Sequence, residues 1–381
     1  MTGTLLSTTS FTAFCDATIL TGEATVENHA LLVKDGIIAD IVSNRQIPAE
    51  AIKVNCAGQI LAPGLIDAQV NGGGNILLNN EPTVEACLSI AKAHRQYGTT
   101  SLLLTCISDT PEITQCALTA VHEARKTDKG ILGIHLEGPH LGIERRGVHD
   151  SSAIRALSKN DLSLYKRQDD DTLLITLAPE NASNDDVKAL HEQSAIISLG
   201  HTKALPDQIR AALEAGATGF THLYNGMGGM SARDIGVSGV ALDDRNSWCS
   251  LIADGHHVAP EMIRLALRAK PQSKVFLVSD AMACAASDNP QAFLLYGKTI
   301  QVADNRCSTA EGNLAGSAIT LLDAVRYCVG TVGIDLEEAL RMASTYPAAF
   351  LGVHKTRGKL LPGYQADIIA LNQNLQLCPS P

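Results

Sequence analysis

The chain has 381 residues, 45% of them hydrophobic and 18% charged, with a formal net charge of −10. This composition suits a soluble enzyme with a large core, and the lack of any Lys/Arg-rich run argues against nucleic acid as a partner. No run approaches the ~20 apolar residues that cross a bilayer, and the N-terminal MTGTLLSTTSFTAF has no basic segment leading into an apolar one, so a cytoplasmic protein with no membrane partner is expected.

The first ~55 residues read as short strands, with Asp35-Gly36 between two apolar runs as a hairpin signal. Eight apolar strand candidates follow, at 60–70, 100–105, 131–138, 173–180, 195–201, 218–225, 250–257 and 275–282. Most are separated by helix-like stretches. Leu205, Ile209 and Leu213 recur at a four-residue spacing, and Pro260-Glu261 is a good helix start. The Gly-rich segment 226–248 reads as a loop, and from Gly358 onward turn and strand return. Alternating strand and helix predicts a parallel (β/α)8 TIM barrel over residues 59–351, flanked by strand-rich segments 1–58 and 352–381. Asn71-Gly72-Gly73-Gly74 lacks the GxGxxG spacing of a doubly wound nucleotide-binding sheet. The ten cysteines form no CxxC pair and read as reduced, buried, small hydrophobes.

Polar residues fall at the strand ends: Gln69, Thr105, Glu137, Glu180, His201, His222, His257 and Asp280. Barrel enzymes build their sites there. Any one histidine could be a satisfied core residue and Asp280 a helix cap, but recurrence at successive strand ends favours a site. Glu137, His201 and His222 can hold one divalent metal ion with a position left for water. Such an ion polarises a carbonyl and acidifies the water. Asp280 then suits a general base that returns the proton to a leaving nitrogen, and His257 a donor to the carbonyl oxygen. Of His256 and His257, adjacent on a strand, one should face inward and one outward. His135 and His140 read as structural or rim residues and not as metal ligands.

The motifs PGLIDAQVNG (63–72), HLEGPHL (135–141), LAPE (177–180), GHT (200–202), THLYNGM (221–227), ADGHH (253–257) and VSDAM (278–282), with GKLLPGYQADI near the end, occur in order over almost the whole chain. Together they resemble the N-acetylglucosamine-6-phosphate deacetylases of the amidohydrolase superfamily. The resemblance implies a barrel with a small β-sandwich domain made from both chain termini. It implies deacetylation of N-acetyl-D-glucosamine 6-phosphate to D-glucosamine 6-phosphate and acetate, with a metal on Glu137, His201 and His222, Asp280 as base then acid, and His257 at the substrate. Asn225 and Gly226 would cradle the phosphate, and Arg233 would pair with it, reaching across a homodimer interface. Val148, Leu314, Ala315 and Gly316 would line the sugar pocket, with Asp254, Gly255 and His256 beside His257, and Gln69, Asn71 and His149 at its edge. Gln69 and Asn71 stand where most of the superfamily has His-x-His, so one metal per subunit is expected, Zn2+ ahead of Fe2+ or Co2+. Gly226, where relatives commonly carry Ala, should be harmless. The chain ends at QLCPSP, short of a further strand that relatives usually add, so a shorter small sheet is expected. The alternatives are the same chemistry on N-acetylgalactosamine 6-phosphate, another amidohydrolase reaction such as cyclic-amide hydrolysis or deamination, and a non-catalytic sugar-phosphate-binding barrel.

Overall fold

The computed structural model describes residues 11–166 and 170–378. The chain divides into two compact units, one made of the residues up to Gly64 with those from Gly352 onward, the other of Leu65–Leu351. In the first, Thr12–Cys15, His29–Lys34, Ile37–Ser43 and Ile52–Asn55 form one four-stranded sheet, and Thr18–Leu20, Thr25–Val26, Ile60–Pro63 and Ile368–Leu371 form another. The two sheets share a core, with Leu31 and Ile38 of the first packed among Ile19, Leu61 and Ala370 of the second. Asp35 and Gly36 take φ of 50° and 75°, the paired positive values that a two-residue hairpin turn needs.

The second unit is a parallel barrel. Its strands are β1 (Leu65–Val70), β2 (Thr99–Ile107), β3 (Ile131–Glu137), β4 (Thr172–Leu177), β5 (Ile196–Leu199), β6 (Gly219–Phe220), β7 (Trp248–Ile252) and β8 (Val275–Val278). They pair in chain order, and a parallel bridge between Val70 and Ala281 brings the first and last strands together. β1, β3 and β4 are buried along their whole length. Helices cover the outside and side chains fill the inside, so their sequences run apolar without alternation. Several helices begin at sequence-legible signals: Pro206 and Pro260 are first residues, and Ser183 with Asp186 forms a capping box.

Four expectations need correction. The strand expected over 60–70 is two strands: Ile60–Pro63 pairs with Thr18–Leu20 and Ile368–Leu371 in the first unit, and Leu65 opens β1, so the chain changes unit after Gly64 and not after residue 58. Segment 226–248 contains a helix, Gly236–Asp243, buried from Gly236 to Leu242. A helix covered on all sides has no polar face and shows no period. Leu205 is 67% exposed as the residue preceding helix Pro206–Ala215, which buries Ile209 and Ala212. Among the cysteines, Cys116 is exposed. The sequence reading also missed an antiparallel ribbon after β8, made of Phe293–Leu295, Lys298–Ala303, Arg306–Ser308 and Leu314–Ser317.

Candidate active site

Glu137 ends β3, and His201, His222 and Asp280 each lie two residues beyond their strands. There the parallel pairing has ended and the backbone turns sharply: His201, His222 and Asp280 take φ of 46°, 35° and 52°. Left-handed conformations in bulky residues cost of order 1–3 kcal/mol each and persist only where the surroundings hold them. Here Ser250 Oγ receives the N–H of His222 at 2.7 Å, and the carbonyl of Asp280 accepts from Ser317 N–H at 2.9 Å.

The three side chains converge. His222 Nε2 is 2.8 Å from Glu137 Oε1 and 3.0 Å from His201 Nε2, while His201 Nε2 is 3.3 Å from the same carboxylate oxygen. One ligand atom from each of Glu137, His201 and His222 lies within 4.8 Å of the others. Arg145 O accepts from His201 Nδ1 at 2.8 Å, which puts the ring proton on Nδ1 and leaves the Nε2 lone pair facing the cluster. Burial alone would raise the Glu137 carboxyl, but the bonds from His201 and His222 outweigh it and hold it well below the usual carboxylate range. Burial disfavours charge on His222, yet its bond to Glu137 and the charge of that carboxylate raise it above the usual histidine range. A buried carboxylate set against two imidazole nitrogens makes a site that favours positive charge. Two imidazole nitrogens and a carboxylate are donors that suit a divalent transition ion, so the residues fit a metal.

Asp280 faces the cluster. Burial pushes its carboxyl up, the Glu137 charge pushes it further, and the result is about 6. Its Oδ1 accepts from Gln69 Nε2 at 3.1 Å and from Asn71 Nδ2 at 2.8 Å. His257 is fixed by Asp254 Oδ2 on Nδ1 at 2.6 Å, which leaves Nε2 as its available ring nitrogen. His149 packs edge-on against His201 with ring centroids 4.7 Å apart. Its Nδ1 lies 2.9 Å from Ser108 Oγ, and burial lowers it to about 3, which keeps it neutral.

These groups line one cavity of about 320 Å³. Of the sequence-expected residues, Glu137, Val148, His149, His201, His222, Asn225, Gly226, His257, Asp280, Leu314, Gly316 and Asn71 face it. Others do not. Arg233 is exposed on a loop away from the cavity of its own chain. His256 points outward, bonded to Asp304 O at 3.0 Å, and Gly255 is exposed beside it. Asp254 acts behind His257, Gln69 behind Asp280, and Ala315 is buried because alternate residues of strand Leu314–Ser317 face opposite ways. Glu180 accepts from Thr202 Oγ1 at 2.5 Å and Lys203 N at 2.7 Å, fixing the turn after His201, and Thr105 bonds His135 Nδ1 at 3.2 Å in the barrel interior. Gly226 is not a neutral choice: at φ 60° its Cβ would sit 2.8 Å from His201 Nδ1. Sequence reasoning missed Glu144 and Arg145 at the mouth and Ile107, Ile252, Met282 and Leu295 on the walls. The segment RRGVH (145–149), which Arg145 opens and which contains Val148, was the one signal for Arg145; the apolar wall residues carried none.

A closed parallel barrel with Glu, His, His and Asp converging at its C-terminal rim defines a metal-dependent hydrolase of the amidohydrolase type. The amidohydrolase family model matches residues 60–379, and the chain belongs to that family. Residues 12–61 match the NagA composite domain. The chain is 39% identical over 370 residues to the N-acetylgalactosamine-6-phosphate deacetylase of Shewanella sp. (strain ANA-3), covering 96% of this chain and 93% of that one. It is 30% identical to the N-acetylglucosamine-6-phosphate deacetylase of Haemophilus influenzae, covering 96% of each. The crystal structure of the N-acetylglucosamine-6-phosphate deacetylase from Pasteurella multocida superposes with a TM-score of 0.93 at 35% identity, covering 96% of this chain and 97% of that one.

Proposed function

We propose that this enzyme hydrolyses the acetamide of N-acetylglucosamine 6-phosphate to glucosamine 6-phosphate and acetate, using one divalent metal ion per subunit held by Glu137, His201 and His222. The observation that carries the reading is the buried convergence of those three side chains opposite Asp280 in a cavity with Asn225, Gly226 and Arg145 along its lining. A bound divalent ion supplies Lewis acidity, which polarises an acyl oxygen and acidifies water. Zn2+ is our first choice for the ion.

Asp280 takes the proton of the attacking water and returns it to the amide nitrogen as the C–N bond breaks. A carboxyl near 6 serves both halves of that exchange near neutral pH. His257, oriented by Asp254, presents Nε2 to the acyl oxygen as charge develops there. Asn225, the Gly226 backbone and Arg145 suit the phosphate, and a guanidinium can meet it with two parallel bonds. Arg233 would join from the second copy of a homodimer. A charged sugar phosphate does not cross a bilayer unaided, which fits work in the cytoplasm.

The specific observation favouring a second reading, the epimeric N-acetylgalactosamine 6-phosphate, is the 39% identity to a deacetylase named for that sugar. The test is acetate release from both phosphorylated sugars and from unphosphorylated N-acetylglucosamine, on protein with counted metal. The expected result is a higher kcat/KM on the glucosamine epimer, little turnover without phosphate and about one metal per chain. A higher kcat/KM on the galactosamine epimer would replace the first reading with the second. No acetate from any of them would remove both.

A further inference from the structure

Asp280 is held by one of its oxygens. Gln69 Nε2 and Asn71 Nδ2 donate to Oδ1 at 3.1 and 2.8 Å, and among the described residues Oδ2 takes no hydrogen bond. Both donors are 1% exposed and stand two residues apart at the end of β1, which puts them on one face of the chain. Each donor draws charge toward Oδ1 and lowers its basicity, so a proton arriving at the carboxyl is directed to Oδ2. Two donors on one oxygen also oppose rotation of the carboxyl, which would otherwise exchange the oxygens.

The donors are themselves anchored across the seam where β1 meets β8. Asp67, fully buried and unused by the chemistry, accepts through Oδ1 the N–H of Gln69 and the N–H of Ser279, each at 3.2 Å. Asn71 donates its backbone N–H to Ala281 O at 2.9 Å. Residues 279 and 281 bracket Asp280, so the same contacts that close the barrel set the spacing between donors and acceptor.

We propose that Gln69 and Asn71 are positioning residues for the deacetylation: they fix Asp280 so that Oδ2 alone takes the proton from water and returns it to the leaving nitrogen. The inference rests on the hydrolytic reading above and deepens it. Gln69 gives the cleaner test, because it does not line the cavity and cannot touch a substrate there. Gln69→Met keeps much of the volume and removes the donor; Asn71→Leu does the same at the second position.

The experiment is steady-state acetate release by wild type and both variants, with metal content and Tm measured on each, and with Gln69→Met repeated in an Asp280→Asn background. Each single variant should lose about 10- to 100-fold in kcat, the size expected for one bond to a charged group, with KM within about twofold and metal unchanged. In the Asp280→Asn background, Gln69→Met should cost little more, because the carboxylate whose proton transfer Gln69 serves is already gone. A full kcat in both variants, a loss carried by KM, or an undiminished Gln69→Met penalty without Asp280 would each overturn the positioning role while leaving the hydrolase reading intact. An inactive wild type overturns both. Should Gln69→Met fail to fold, Asn71→Leu decides by the same kcat and KM criterion.

Discussion

The floor and the mouth of the cavity are built on opposite principles. At the floor, Glu137, His222 and Asp280 are at most 9% exposed, and their hydrogen bonds lie inside a single chain. At the mouth, Glu144 and Arg145 are exposed on the loop after β3, and Arg233 stands apart from the cavity. Low dielectric makes each floor interaction strong and each orphaned partner costly, whereas water screens the mouth. The floor should therefore govern kcat and metal, and the mouth KM. Arg145 joins the two: its carbonyl accepts from the His201 ring, and the residue is exposed where the cavity opens.

The sharpest way to break this comparison is at Asp280. Asp280→Asn should lower kcat by about 10²- to 10⁴-fold, the usual worth of a general base, while substrate and metal still bind. Near-normal turnover would remove Asp280 from the chemistry. Next in size is Gly226→Ala. A methyl group 2.8 Å from His201 Nδ1 must displace that ring or its bond to Arg145 O, so metal affinity should fall about 10- to 100-fold, as for loss of a supporting partner. Unchanged metal titration would show that the loop yields instead.

At the mouth, Arg145→Ala should raise KM for the phosphorylated sugar by about 10-fold, the low end for a charge-assisted bond in water, with kcat within a few-fold. A kcat loss without a KM change would place Arg145 with the floor. The last test bears on stability and not on turnover, at a support of the floor. His94 is fully buried, bonds Gly72 O through Nε2 at 2.9 Å beside Asn71, and is lowered by burial to about 4. The unfolded chain, with a histidine near its usual 6.5, binds a proton that the folded chain refuses, so stability is present above 6.5 and falls as pH drops toward 4. The loss should reach about 1–3 kcal/mol, read as a Tm that declines over that window and declines less in His94→Gln. Equal slopes in both proteins would assign the acid sensitivity elsewhere.

The barrel was legible because parallel strands covered on both faces leave continuous apolar runs, and because polar residues recur at the ends of successive strands. Glu137, His201, His222 and Asp280 announced themselves in that way. Helix Gly236–Asp243 did not, since uniform burial erases the 3.6-residue period, and the ribbon after β8 was too short and polar to stand out. Arg145 offered only its neighbours as a signal, because a rim residue is defined by where its loop travels.

Sequence by itself determined the fold class and singled out Glu137, His201, His222 and Asp280 as the candidate metal set and base, since strand periodicity and residue chemistry are local properties. Tertiary structure alone decided that Gly226 crowds His201, that His256 turns away while His257 turns in, and that Gln69 and Asn71 share one oxygen of Asp280. Each depends on distances between residues as many as 211 positions apart in the chain, and such distances are fixed only when the barrel closes.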